Sequence, residues 1–165
     1  MELEATTLID SIVRTIANNF KGELYVYDGK LTQNVKTPCI FVTENNMASK
    51  AELYSHYMET HTIEFEIHCA NSSQTATSEN TEIYSYTRKI AYRLRDILML
   101  VPAYKYNDDR TKLIETDDIY RGFNFNWHIY DDKGYVYVTY KYRIVEKDTA
   151  EKLQNLSNTT NVKNK

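Results

Sequence analysis

Glycine is scarce, and the four glycines, Gly22, Gly29, Gly122 and Gly134, stand far apart along the 165 residues. A phosphate-cradling loop needs clustered glycines so that backbone amides can approach the ligand, which excludes Walker-type and dinucleotide-binding enzymes. Cysteine is scarcer still. Cys39 and Cys69 lie in apolar-rich segments without C-x-x-C spacing, the pattern of buried free thiols in a reducing compartment. No serine occupies a G-x-S-x-G elbow and neither cysteine has an identifiable histidine partner, so nucleophilic hydrolysis has no support. A basic excess is also missing: 20 Lys and Arg face 23 Asp and Glu, for a net charge of -3. That balance argues against sequence-independent DNA binding over the whole surface. No apolar run approaches membrane-spanning length, and the first residues lack a basic region followed by an apolar block. The expectation is a chain made in the cytoplasm, with no membrane partner.

What remains is an ordinary globular composition, 42% apolar and 26% charged, at a length that suits one core. Apolar residues at Leu8, Ile9, Ile12, Val13, Ile16, Ala17 and Phe20 repeat every 3.6 positions and predict an amphipathic helix, stopped at Gly22. Strands are predicted at Leu24–Tyr27, at Cys39–Val42 after Pro38, at Glu52–Met58 and at Thr60–Ala70. In the last of these Ile63, Phe65, Ile67 and Cys69 alternate with Thr62, Glu64, Glu66 and His68, so one face is buried and the other is wet or meets a partner. Asn71–Thr77 reads as a loop, and Thr77 or Ser78 as the cap of a helix reaching Val101, with Pro102 marking its end. Tyr104–Asp118 reads as a mixed segment with a short strand. Strands Ile119–Tyr130 and Tyr135–Glu146 close the domain around the turn Asp131–Gly134. The order predicts an α+β fold, a mainly antiparallel sheet with two helices packed on one face. The domain spans residues 1–147, and residues 148–165, rich in Asn, Thr, Ser and Lys, form a polar, flexible tail.

Chemistry-bearing clusters are few. Glu64, Glu66 and His68 share a strand face, with His128 a candidate neighbour. Alternation alone produces such triplets, and Lys141 and Arg143 on the last strand are placed to pair with the two glutamates, so no metal is expected. The acidic cluster Asp108, Asp109, Glu115, Asp117 and Asp118 lacks the loop spacing of a calcium site and reads as a solvated loop. No catalytic residue and no cofactor are expected. Tyrosine is the outlier, with 15 residues, and suits a protein–protein surface because it combines large contact area with a hydroxyl tolerant of a wet edge. The loop Asp108–Asp118 and the hairpin Asn45–Tyr57, with Tyr54 and Tyr57 near its tip, are the candidate docking elements.

Four stretches carry a more specific signal. They are the N-terminal helix leading to Leu24-Tyr25-Val26-Tyr27, then Val35-Lys36-Thr37-Pro38-Cys39-Ile40-Phe41-Val42, then His61-Thr62-Ile63-Glu64-Phe65-Glu66-Ile67, and the long helix from Glu79. With the aromatic hairpin Gly122–Arg143, they resemble the tail terminator (tail completion) proteins of long-tailed phages and phage-derived contractile particles, over about residues 5 to 147. The resemblance implies a structural protein that caps the last ring of the tail tube as a homo-oligomeric ring, usually a hexamer. Such a ring stops tube growth and offers a junction to head, neck or collar. The implied partners are the tail tube protein and a sheath, neck or head-completion protein, with DNA only passing through the lumen. A head–tail connector or neck protein is the alternative within that class. A small-ligand-binding or enzymatic α+β domain with a pocket between the long helix and the sheet is the alternative outside it. The two classes differ in whether Thr62, Glu64, Glu66 and His68 face a subunit or an enclosed cavity.

Overall fold

A computed structural model describes residues 5–29, 35–53, 56–69, 78–130 and 135–147. After a 3-10 turn at Ala5–Thr7, helix α1 (Leu8–Asn19) leads to strand β1 (Tyr25–Asp28), then β2 (Cys39–Leu53) and β3 (His56–His68). Helix α2 (Ser78–Ile97) follows, then β4 (Leu100–Tyr106), β5 (Leu113–Tyr130) and β6 (Tyr135–Lys147). The six strands form one sheet in the order β1-β2-β3-β6-β5-β4. Only the short β1–β2 pair is parallel, so the fold is α+β with a mainly antiparallel, curled sheet.

The concave face holds the core. Ile63, Phe65 and Ile67 of β3 and Val136, Val138, Tyr140 and Tyr142 of β6 are buried there with Ile90, Ala91, Leu94 and Leu98 of the α2 segment. Helix α2 lies along the central strands, whereas α1 touches both edge strands, β1 and β4. A single short helix can reach both edges only because the sheet curls round it. On α1 the apolar column Leu8, Ile12, Ile16 is fully buried as the periodicity predicts, but Ala17 is exposed. A second column, Thr7, Ser11 and Thr15, is buried although polar. Its hydroxyls are satisfied: Ser11 Oγ donates to the Thr7 carbonyl and Thr15 Oγ1 to the Ser11 carbonyl. Ser11 Oγ also accepts the Tyr104 amide of β4 at 2.9 Å, and Thr7 Oγ1 meets the Tyr120 hydroxyl at 3.0 Å.

The last turn of α2 is closed by tyrosines. The hydroxyls of Tyr140 and Tyr142 donate to the carbonyls of Arg95 and Leu98, and the Gly122 amide donates to Met99, supplying partners that a helix C-terminus lacks. Gly122 must be glycine here, since a Cβ would stand 2.6 Å from Tyr140 Cε1 and 2.7 Å from the Leu98 oxygen.

Four sequence expectations change. The helix ends at Ile97 instead of Val101, and Val101 and Pro102 belong to β4. Proline is tolerated there because β4 is an edge strand with a bulge between Pro102 and Tyr104. Glu52–Met58 is not a separate strand: β2 runs on to Leu53 and β3 starts at His56. Strand β5 begins at Leu113, so Glu115, Asp117 and Asp118 sit in a strand and not a loop. Tyr120, Tyr140 and Tyr142 are core residues, so part of the tyrosine excess serves packing. The expected loop Asn71–Thr77, the turn Asp131–Gly134 and the tail 148–165 lie outside the described residues.

Candidate functional site

The convex face of the sheet carries most of the residues singled out in the sequence. Cross-strand register fixes its rows: Tyr27, Phe41, Glu66, Tyr137 and His128 lie side by side across five strands, and Tyr25, Cys39, His68 and Tyr135 form the next row. Rings connect through Tyr27–Phe41, Phe41–His68 and His68–Tyr135, with centroids 5.5, 5.4 and 4.6 Å apart, within the span of favourable aromatic pairs. In the second of these rows Cys39 is buried, and Cys69, next along the chain from His68, is partly buried against the core; both are free thiols. Burial, reinforced by the neighbouring Cys69, pushes the Cys39 thiol up to about 11.

Glu64, Glu66 and His68 do share this face, and His68 Nε2 lies 3.5 Å from Glu66 Oε2. Tyr137 sits between the glutamates and hydrogen-bonds Glu64; burial first, and that bond second, raise its hydroxyl pKa. Tyr137 also separates Glu66 from His128, which stand on strands flanking β6 and are therefore roughly 10 Å apart. Among the described residues no ion pair joins Lys141 or Arg143 to Glu64. Lys141 lies opposite Thr62 and Arg143 opposite Thr60, and the Arg143 guanidinium is held 4.3 Å over the Phe123 ring. A cation–aromatic contact on its own strand pair leaves it a full row or more from the carboxylates.

The acidic cluster divides in two. Asp109 builds the turn between β4 and β5, accepting the Thr111 amide and hydroxyl, which lower its carboxyl pKa. Asp108, Glu115, Asp117 and Asp118 line an open groove of about 660 Å³ with Lys105 and Tyr106. Among the described residues no three His, Cys, Asp or Glu side chains are arranged to hold a metal ion. Tyr54 lies outside the described residues, and Tyr57 is placed by its backbone opposite Ala51 and Glu146.

Sequence reading passed over one polar cluster. His61 is buried on the concave face, its Nδ1 against Glu44 and its Nε2 2.8 Å from Glu59 Oε2. The signal was present, since Glu59 and His61 have the same parity as Ile63, Phe65 and Ile67. The space between α2 and the sheet is filled by Leu94, Phe65 and Val138, all fully buried, and Thr62, Glu64, Glu66 and His68 face away from it.

No curated protein matches the chain. The family model described as phage tail terminator protein matches residues 7–152, a span that takes in both helices and all six strands. The chain belongs to the phage tail terminator protein family, and is thus a structural protein of the phage tail, incorporated in the virion.

Proposed function

We propose that this protein closes the end of the tail tube as a homo-oligomeric ring, arresting tube growth and presenting the junction to a neck, head-completion or sheath protein. Six copies follow the family's usual number, and DNA, where the particle carries it, passes through the lumen. Family membership across residues 7–152 carries the reading. The build of the sheet supports it, because helices seal one face while the other keeps charged and aromatic side chains partly exposed. A ring subunit needs such surfaces on two sides toward its neighbours and on a third toward the tube. Glu64, Glu66, His68, Lys141 and Arg143 are proposed contact residues toward a neighbour. The β4–β5 turn with Asp108 and Asp109, the strand residues Asp117 and Asp118, and the β2–β3 tip with Tyr54 and Tyr57 are proposed toward the tube.

A heterologous interface propagates unless a chain offers only one of its halves, which is how a terminator arrests an otherwise open-ended tube. Deleting the gene in its own particle should give tubes of abnormal length that fail to complete, visible by electron microscopy. Tubes of normal, uniform length joined to their normal upper structures would overturn the assignment.

A further inference from the structure

Strand β1 covers β2 only from Cys39 to Val42, and β5 accompanies β6 only as far as Tyr142. Beyond those points β2, β3 and β6 continue as a three-stranded piece in unbroken company, with His56 reaching Lys147 and Leu53. Both outer edges of this piece, β2 from Thr43 to Leu53 and β6 from Arg143 to Lys147, lack a partner strand among the described residues. Long unpaired edges are templates for pairing with another chain, and proteins that must stay single blunt them with proline, closely set lysines or repeated bulges. β2 contains no proline and one lysine, and between its bulges Asn46–Ala51 keeps regular register.

The two edges also match each other. They belong to one ribbon, stand at the same height from Ala48 to Leu53 on β2 and from Arg143 to Lys147 on β6, and run in the same direction, since each is antiparallel to β3. Where β5 peels away from β6 it leaves a cleft of about 430 Å³ lined by Ile119, Arg121, Gly122, Phe123 and Arg143.

We infer that the occupant of each edge is the opposite edge of a second copy of this chain: β2 of one copy enters the cleft beside β6 of the next, in parallel, joining the three-stranded pieces into one continuous sheet. This rests on the ring reading above, because only a closed ring satisfies every edge. Six copies would give a barrel of roughly 18 strands, a size that leaves an aqueous channel.

Cysteine pairs placed at equal height on the convex side, Ala48→Cys with Arg143→Cys and Lys50→Cys with Val145→Cys, test the seam. Purified protein, alone and on tubes of the tail tube protein, is treated with a short bis-maleimide and run on a denaturing gel beside wild type and each single variant. The expected result is a covalent ladder ending at the ring size in at least one double variant and absent from the controls. Rings seen by electron microscopy without a ladder from either pair would overturn the edge pairing and leave the ring standing. Ladders without rings would uphold the pairing and overturn closure, and the absence of both would overturn both. Thermal melts matching wild type establish that the variants are folded.

Discussion

The two faces of the same six strands follow different rules. On the concave side, parity decides everything: Ile63, Phe65, Ile67, Val136 and Val138 point inward and are fully or almost fully buried. On the convex side the intervening positions carry Glu64, Glu66, His68, Tyr135, Tyr137 and Thr139, residues that packing does not require. Most buried side chains thus lie on one face, and the other, where Cys39 and Phe41 are also buried, is otherwise partly exposed and open to partners. Mutations should separate the two faces cleanly.

The largest loss is expected at Gly122→Val, where a branched side chain collides with Tyr140 and the Leu98 carbonyl. Overpacking and the break at the end of α2 should together remove several kcal/mol, about 3 or more, and a thermal melt or failed expression would register it. Leu94→Ala, at a fully buried position, should cost about 2–5 kcal/mol through the cavity it opens. A cost of a few tenths there would mean that α2 does not face the core. Tyr142→Phe comes next, at about 1–3 kcal/mol, since it strands the Leu98 carbonyl now bonded at 2.6 Å; chemical denaturation gives the value.

Alkali should act through the same buried groups. Burial raises the Tyr142 and Tyr140 hydroxyls above 10.0 and lifts the Cys39 thiol from 9.0 to about 11. The native state holds these protons to higher pH than the unfolded chain does. The contribution is therefore complete below pH 9 and declines as pH rises through the unfolded values toward 11 and beyond. Urea midpoints measured at pH 7, 9 and 10.5 should fall only in the last interval, and a flat profile would contradict the burial. At the small end, Val145→Lys on the convex face, where Val145 is 54% exposed, should change monomer stability by no more than about 0.5 kcal/mol. A large effect would mean that the convex face also holds the monomer together.

Much of this fold was legible because periodicity is a local property. The helix over Leu8–Asn19, the alternation of β3 and the closing strands around Tyr130 and Tyr135 all announce themselves within a dozen residues. What failed was decided by distant neighbours. Val101 continues the helical spacing of Ile97 and Leu98, yet it is equally well buried as a strand residue, and the Gly122 amide on the Met99 carbonyl helps set the chain's turn there. The length of β2 was hidden because Thr43–Ala51 is polar; β3, supported in turn by β6, holds it in place. Of the candidate site, the shared face of Glu64, Glu66 and His68 could be read from alternation. The position of Arg143 over Phe123 could not, since it depends on a register set by the bulge between Phe123 and Asn126.

The hydroxyl column of α1 has a consequence for the order in which the chain can fold. Its partners on β4 and β5, Tyr104 and Tyr120, lie 93 and 113 residues further along. When α1 leaves the ribosome none of the sheet that will hold it exists, and its apolar column waits exposed while β2 and β3 form their local hairpin. Contacts of such sequence separation slow folding, because the loop must close before any of them is gained. The N-terminal helix, made before any strand, cannot complete its contacts until β4 and β5 exist, and its docking is what ties the first edge of the sheet to the last.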